Sequence, residues 1–192
     1  MRKSDLLLEE KHHDAFASEY TQRRKGDFIW EVPEEIFLLK KKYFRKKITV
    51  VDMGCGPAIS VVNILGRKLL DKLNYLGIDI SKEMLKLAKK NIPKGKFIKG
   101  DISNPKIKAN SIDVIISLGA LHHVKSKKLT LHRWSIILRR GGYILLREPT
   151  YEALKRGMGE SPIEEGIKFS ELTESFTLNN LLPVKYNFFS TP

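Results

Sequence analysis

The sequence is poor in the features that mark secreted, membrane and fibrous proteins. Its 192 residues contain one cysteine, which excludes an internal disulfide framework. No stretch reaches the roughly 18 unbroken apolar residues that a membrane span needs, and the charged N-terminus, with Arg2, Lys3 and Asp5, does not fit a signal peptide. Internal repeats and Gly/Ser linkers are also lacking. We therefore expect a soluble, cytoplasmic protein with a single domain over residues 1–192.

Acidic residues are scarce relative to basic ones. There are 35 Lys and Arg against 22 Asp and Glu, a formal net charge of +13, and the basic surplus lies within residues 51–150. A solvated, lysine-rich surface is the favoured interpretation. A polyanionic partner such as RNA is the second interpretation, because clustered cations bind phosphates by releasing counterions.

Short apolar runs alternate with helical periods, and this alternation predicts the fold. Each run is of the kind typical of a strand covered on both faces, and the predicted strands lie at residues 48–52, 74–79, 96–100, 112–117 and 143–147. Helices are expected after the first, second and fourth of these strands; Ser81 caps the second helix, and Gly141 and Gly142 stop the third, which spans residues 126–138. The pattern predicts an α/β fold with a Rossmann-like, doubly wound, mainly parallel sheet and helices on both faces.

Two flanking segments complete the organisation. Residues 1–47 are expected to form an N-terminal helical cap on the core at 48–150. Residues 151–192 are expected to add a helix around 171–182 and one strand at 184–189.

Acidic residues end three consecutive predicted strands. Asp52 is followed at once by Gly54 and Gly56, and such a loop lets the backbone approach a ligand closely. The loop is not a dinucleotide fingerprint, because Ile59 stands where its third glycine would be. Asp79 and Asp101 end the next two strands, where a carboxylate can accept ribose hydroxyls or an exocyclic amine. Carboxylates gathered at one sheet edge repel one another unless a ligand or donor groups compensate.

These motifs together resemble class I S-adenosylmethionine-dependent methyltransferases, in their small-molecule, type 11-like subgroup. The resemblance rests on short motifs that occur in the family's order: D-x-G-x-G at residues 52–56, GID-S at 77–81, GD-I at 100–102, NSIDVIIS at 110–117, LGALHHV at 118–124 and LRRGGYILLREP at 138–149. One departure concerns the C-terminus, since members usually have two strands after the fifth. Either the last strand pair is incomplete here or another element covers that edge.

The resemblance implies S-adenosyl-L-methionine as cofactor and assigns residues to it. Asp52, Gly54 and Gly56 would hold the methionine portion and Asp79 the ribose, while Asp101 addresses the adenine. The full set of implied cofactor residues is Tyr20, Asp52, Gly54, Cys55, Gly56, Asp79, Ile80, Asp101, Ile102, Ser117 and Leu118. Tyr20 is expected either to close over the cofactor or only to pack against neighbouring residues. Cys55 is expected to be a small residue that fits between two glycines rather than a nucleophile.

The implied reaction needs a nucleophile aligned behind the methyl group and, for some acceptors, removal of a proton. His122 or His123 follows strand four, where the methyl group would emerge, and at most one of them is expected to act as the base. Glu148, after strand five, is expected either to touch the substrate or to cap a helix. No metal ligands are predicted, because the histidine pairs at 12–13 and 122–123 lack spaced Cys, Asp or Glu partners.

The resemblance favours methyl transfer to an oxygen or carbon atom of a small organic acceptor. Leu118 and Gly119 stand where enzymes that methylate amide or exocyclic nitrogen carry an Asn/Asp-Pro-Pro motif. Two alternatives stay open: an RNA-modifying methyltransferase that uses the basic surface, and a cofactor-binding module that is inactive without a partner.

Overall fold

The computed structural model describes residues 3–26, 47–151 and 167–183. The strand predicted at 184–189, and with it the expectation about the last strand pair, lies outside the described residues. None of the helices in the described ranges is both long and apolar enough to cross a membrane.

Five strands form one parallel sheet, as the sequence predicts. They are β1 (Thr49–Met53), β2 (Asn74–Asp79), β3 (Lys96–Lys99), β4 (Ile112–Leu118) and β5 (Leu138–Arg147). Their order across the sheet is β3-β2-β1-β4-β5, and every pairing is parallel. The order reverses between β1 and β4, and the carboxyl ends of neighbouring strands there form the edge where ligands of such sheets bind.

Helices follow β1, β2 and β4 and flank the sheet, whereas a loop joins β3 to β4. The helices are α1 (Lys3–Gly26), α2 (Ile59–Leu65), α3 (Arg67–Leu70), α4 (Lys82–Asn91), α5 (Lys127–Ile137) and α6 (Phe169–Leu178), with a short 3-10 turn at Leu121–His123. Gly66 separates α2 from α3 because its φ of +72° does not continue a helix. Ser81 caps α4 as predicted, since its hydroxyl accepts from the Met84 amide at 3.0 Å.

The start of β5 differs from its prediction. The strand begins at Leu138 rather than at residue 143, directly after α5 ends at Ile137. Gly141, expected to end the helix, lies inside the strand with a φ of +75°. The register of β4 against β5 shifts between Ile112 and Val114. The two glycines therefore lie at an irregularity within the strand and do not end the helix.

Alternate residues of the strands enter two separate cores. Val50 packs on the face covered by α2, α3 and α4, whereas its neighbour Val51 packs on the face covered by α5 and α6. Trp134 of α5 is fully buried in the second core, and its indole nitrogen donates to the Ile102 carbonyl at 2.8 Å. Both faces of the sheet are therefore covered by helices, as predicted.

Helix α1 lies against α2 and α4. Asp14 of α1 accepts hydrogen bonds from the Ser81 hydroxyl and from the Glu83 amide, so it supplements the cap of α4. Glu10 of α1 pairs with Lys99 of β3. These contacts place the N-terminal helix beside the carboxyl ends of the strands.

Candidate active site

The loop after β1 is tied to the end of β2. The amides of Gly54 and Cys55 donate to the Ile78 carbonyl at 2.8 and 3.0 Å. The Asp79 carboxylate accepts from the Gly56 amide at 2.8 Å and from the Ser81 amide at 2.9 Å. Asp79 thus holds the loop through the Gly56 amide and the start of α4 through the Ser81 amide, and the Ile80 amide also donates to it.

The two glycines of this loop have different tasks. Both have positive φ, +70° at Gly54 and +50° at Gly56, which favours glycine. A Cβ on Gly54 would lie 2.3 Å from the Cβ of Ala120, whereas a Cβ on Gly56 would meet nothing within 4 Å. Gly54 therefore permits close packing with the loop after β4, and Gly56 borders open space.

Asp52 lies beneath this loop and is 2% exposed. It accepts a hydrogen bond from the Tyr75 hydroxyl at 2.7 Å. Burial raises the pKa of Asp52 to about 7, with a further rise caused by the nearby Asp79 charge, although the Tyr75 hydrogen bond opposes both. Burial also raises the pKa of Asp79, against the hydrogen bonds that it accepts. Two buried carboxyl groups with raised pKa values make this end of β1 and β2 favourable for a cationic ligand.

Cys55 and Ile80 lie next in sequence to the glycines and to the acid of this site. Cys55 is 7% exposed, and its sulfur lies 2.8 Å from where a Cβ on Gly77 would be placed. Burial raises the pKa of the Cys55 thiol well above its ordinary value, which disfavours the reactive thiolate. Ile80 is half-buried directly after Asp79. These observations support Cys55 as a filler.

Asp101 is engaged with its own loop. Its two oxygens accept from the amide and the hydroxyl of Ser103, at 2.7 and 2.8 Å. The following Ile102 approaches the loop after β1, with its Cδ1 4.0 Å from where a Cβ on Gly54 would lie. Asp52 and Asp79 interact electrostatically, whereas the hydrogen bonds of Asp101 lie within its own turn.

Glu148, just beyond β5, organises the loop after β4. One of its oxygens accepts from the Ser117 hydroxyl at 2.8 Å and from the Ala120 and Leu121 amides at 3.2 and 2.9 Å. The other accepts from the His122 amide at 3.2 Å and lies 2.8 Å from His122 Nδ1. These contacts were not among the two roles expected from the sequence, because residue spacing does not reveal a carboxylate that binds a neighbouring loop.

The remaining predicted site residues lie at the end of β4, on the loop that follows it, or on α1. Leu118 ends β4 and packs partly buried against the core. The rings of His122 and His123 lie side by side with centroids 4.1 Å apart, and His122 is 6% exposed. Tyr20 lies on α1, where its ring contacts Phe16 at a centroid distance of 6.4 Å.

Helix α1 contributes two acidic residues that the sequence did not single out. Asp14 binds the start of α4, and Glu9 lies 3.6 Å from His123 through its Oε2 and the ring Nδ1. Glu9 and Asp14 lie among many other charged residues of α1, so the sequence alone does not distinguish them. Their neighbours are known only from the packing of α1.

The comparisons with known proteins identify the family. Residues 51–146, half of the chain, match the model of the methyltransferase domain. These residues contain β2, β3 and β4 whole, β1 from Val51 onward and β5 up to Leu146, together with the loops after β1 and β4. The chain therefore belongs to the methyltransferase domain family, as the sequence motifs predict.

Individual relatives share this core. The ubiquinone/menaquinone biosynthesis C-methyltransferase UbiE of Campylobacter jejuni is 27% identical over 145 residues, which are 73% of this chain and 56% of the relative. The trans-aconitate 2-methyltransferase of Variovorax paradoxus is 29% identical over 124 residues, 62% of this chain and 47% of the relative. The chain thus spans about half the length of these curated relatives.

A solved structure resembles the chain over almost its whole length. The magnesium protoporphyrin IX methyltransferase of Synechocystis PCC 6803, solved with bound SAH, superposes with a TM-score of 0.72. The match covers 98% of this chain and 94% of that one at 16% identity. This likeness confirms the fold predicted from the sequence.

Proposed function

We propose that this protein is an S-adenosylmethionine-dependent methyltransferase that acts on an oxygen or carbon atom of a small organic acceptor. The observation that carries the proposal is the family match over residues 51–146, which falls on the strands and loops that bring Asp52 and Asp79 together. The activities for which the longer relatives are named support the proposal by similarity.

The residues around the loop after β1 fit this cofactor. The open space beside Gly56 gives the backbone room to border a ligand. A carboxylate has about four acceptor positions, and the amides of Gly56, Ile80 and Ser81 leave Asp79 one of them for a ribose hydroxyl. Asp52 and Asp79 become more favourable as carboxylates when a positive charge comes close, and the cofactor carries one on its sulfur and one on its amino group. Ser117, Ile80, Ile102 and Tyr20 remain proposed contacts.

S-adenosylmethionine, when bound, supplies a methyl group that its positive sulfur already activates. The chain's own residues then have to align the acceptor and take its proton. We assign the second task to His122. Because a carboxylate can only accept, the contact between Glu148 and Nδ1 leaves Nε2 as the basic nitrogen. Glu148 is the positioning residue, since it holds both the ring and the loop on which the ring lies.

The acceptor class follows from the named relatives and from the surface charges. UbiE is named for quinone biosynthesis and C-methylation, and the second relative for trans-aconitate, which favours a small acceptor over RNA. Several cations within residues 51–150 are paired with carboxylates, which supports the interpretation of a solvated surface. The pairs are Lys86 with Glu83, Lys94 with Asp71, Lys99 with Glu10, and Arg139 with Asp113. The module that needs a partner gains no specific support from the described residues, and the cytoplasmic location stays a prediction.

A transfer assay tests this function. The purified chain is incubated with S-adenosylmethionine labelled in the methyl group and with separate acceptors: a short-chain benzoquinol, trans-aconitate and total RNA. We expect label in a small-molecule fraction and none in RNA. The variant His122→Gln should retain cofactor binding and lose activity by about 10²-fold or more. Label in RNA alone, or equal activity of this variant, would contradict the acceptor class or the assigned base respectively.

A further inference from the structure

Two potential metal ligands on α1 meet a third on the loop after β4. Glu9 and His13 are four residues apart on α1 and therefore share one helix face. His13 Nε2 lies 3.1 Å from Glu9 Oε2, and His123 Nδ1 lies 3.6 Å from the same oxygen. All three ligand atoms lie within 4.8 Å of one another.

The spacing suits a small divalent cation. With bonds of about 2.0–2.1 Å to nitrogen and oxygen, tetrahedral ligand atoms lie about 3.3 Å apart. The two distances from Glu9 fall on either side of this value, so small side-chain rotations would complete the geometry. Two imidazole nitrogens and one carboxylate oxygen are donors that suit Zn²⁺ and neighbouring transition metals.

Burial favours a cation at this place. The side chain of Glu9 is 4% exposed, and those of His13 and His123 are 27% and 18% exposed. A carboxylate this deeply buried requires a compensating positive charge or several hydrogen bonds. A protonated His13 would supply such a charge, and so would a metal ion bound to both neutral histidines. The second arrangement uses all three side chains, because one ion contacts each of them.

We propose that Glu9, His13 and His123 bind a divalent transition-metal ion, with Zn²⁺ as the first choice. The ion links the N-terminal helix to the loop that carries His122. Three protein ligands leave a further coordination position, which water or an oxygen of a bound molecule can fill. This inference differs from the prediction of no metal ligands, which considered spacing along the chain and not the packing of α1. It does not depend on the proposed methyl transfer.

Metal binding to the full chain tests the proposal. Chelator-treated protein is dialysed against Zn²⁺, the bound metal is counted, and Co²⁺ is added in parallel because tetrahedral sites with nitrogen and oxygen ligands give visible absorbance bands. We expect one ion per chain. Two variants, His13→Ala and His123→Ala, should each weaken the binding at least tenfold. The control His12→Ala alters the neighbouring ring on α1, which stacks on Phe16 at 6.1 Å, and should bind as the unaltered protein does.

Two further measurements keep the outcome clear. Circular dichroism of the metal-free variants shows whether they fold, and Glu9→Gln supplies a third ligand change of nearly identical shape. Titration with S-adenosylmethionine, carried out without metal, tests the proposed function separately. Absence of bound Zn²⁺ from the unaltered chain, or equal binding after both histidine substitutions, would overturn the metal site.

Discussion

Replacing Asp52 by Asn should stabilise the ligand-free protein at alkaline pH while weakening its binding of S-adenosylmethionine. Asp52 is 2% exposed and has a pKa of about 7, raised from 3.8 mainly by burial. Its carboxylate is therefore unfavourable in the folded state without a cationic ligand. Asparagine has nearly the same shape and can still accept from Tyr75, but it carries no charge to bury.

The magnitude follows from the two pKa values. Between pH 3.8 and about 7 the folded protein keeps a proton on Asp52 that the unfolded chain has lost, so this group lowers the stability of the protein as pH rises through that window. From about pH 8 the carboxyl is ionised in both states and the cost is constant. One pKa unit corresponds to 1.36 kcal/mol, and because Asp52 is half ionised at pH 7, the stability lost between pH 5 and 8 is about 2–3 kcal/mol. The Asn variant avoids this cost.

Urea unfolding of both proteins at pH 5, 6, 7 and 8, without ligand, measures the effect. The stability difference in favour of Asp52→Asn should grow by about 2–3 kcal/mol between pH 5 and 8, most of it below pH 7. Asp79, Tyr75 and Cys55, the ionisable neighbours of Asp52, remain in both proteins, so their main contributions cancel. Asp71→Asn, which removes an exposed carboxylate, is the control. A difference that stays constant from pH 5 to pH 8 would refute the burial argument.

Three other predictions concern the same site. Asp79→Asn should weaken S-adenosylmethionine binding by about 1–3 kcal/mol through lost charge-assisted hydrogen bonds, and calorimetry with unchanged affinity would refute this role. Gly54→Ala should destabilise the chain more than Gly56→Ala, because only the first places a Cβ 2.3 Å from that of Ala120; equal urea midpoints would count against this packing argument. Glu148→Gln should cost about 1–3 kcal/mol of stability and lower kcat more than it raises KM, because its amide nitrogen cannot accept from the loop; unchanged kcat would remove Glu148 from the positioning role.

The sheet could be predicted from the sequence because its signals are local. Strand β2 has the predicted bounds, and the other strands except β5 differ by one or two residues, since β-branched runs and glycines mark their ends. The predicted start of β5, residue 143, was wrong because the apolar residues at 136–138 fit a helix as well as a strand. The pairing of Leu138 with Ile112 places Leu138 in the strand, and the sequence around Leu138 does not reveal this pairing.

The site could be predicted only in part, because several of its contacts join distant segments. Asp52 and Asp79 were found from their position at strand ends, and the structure brings them together. The hydrogen bonds that Glu148 accepts from the loop after β4 depend on the pairing of β5 with β4. The meeting of Glu9 with His123 depends on the docking of α1, for which no pattern in the sequence indicates a partner.

The central claim is that the carboxyl ends of β1 and β2 hold S-adenosylmethionine, and a comparative thermal-shift titration tests it most directly. The full chain is melted with increasing S-adenosylmethionine, S-adenosylhomocysteine or NAD. The account predicts that both adenosyl compounds raise the melting temperature with saturation and that NAD at equal concentration does not. Stabilisation by NAD alone, or by none of the three, would contradict it.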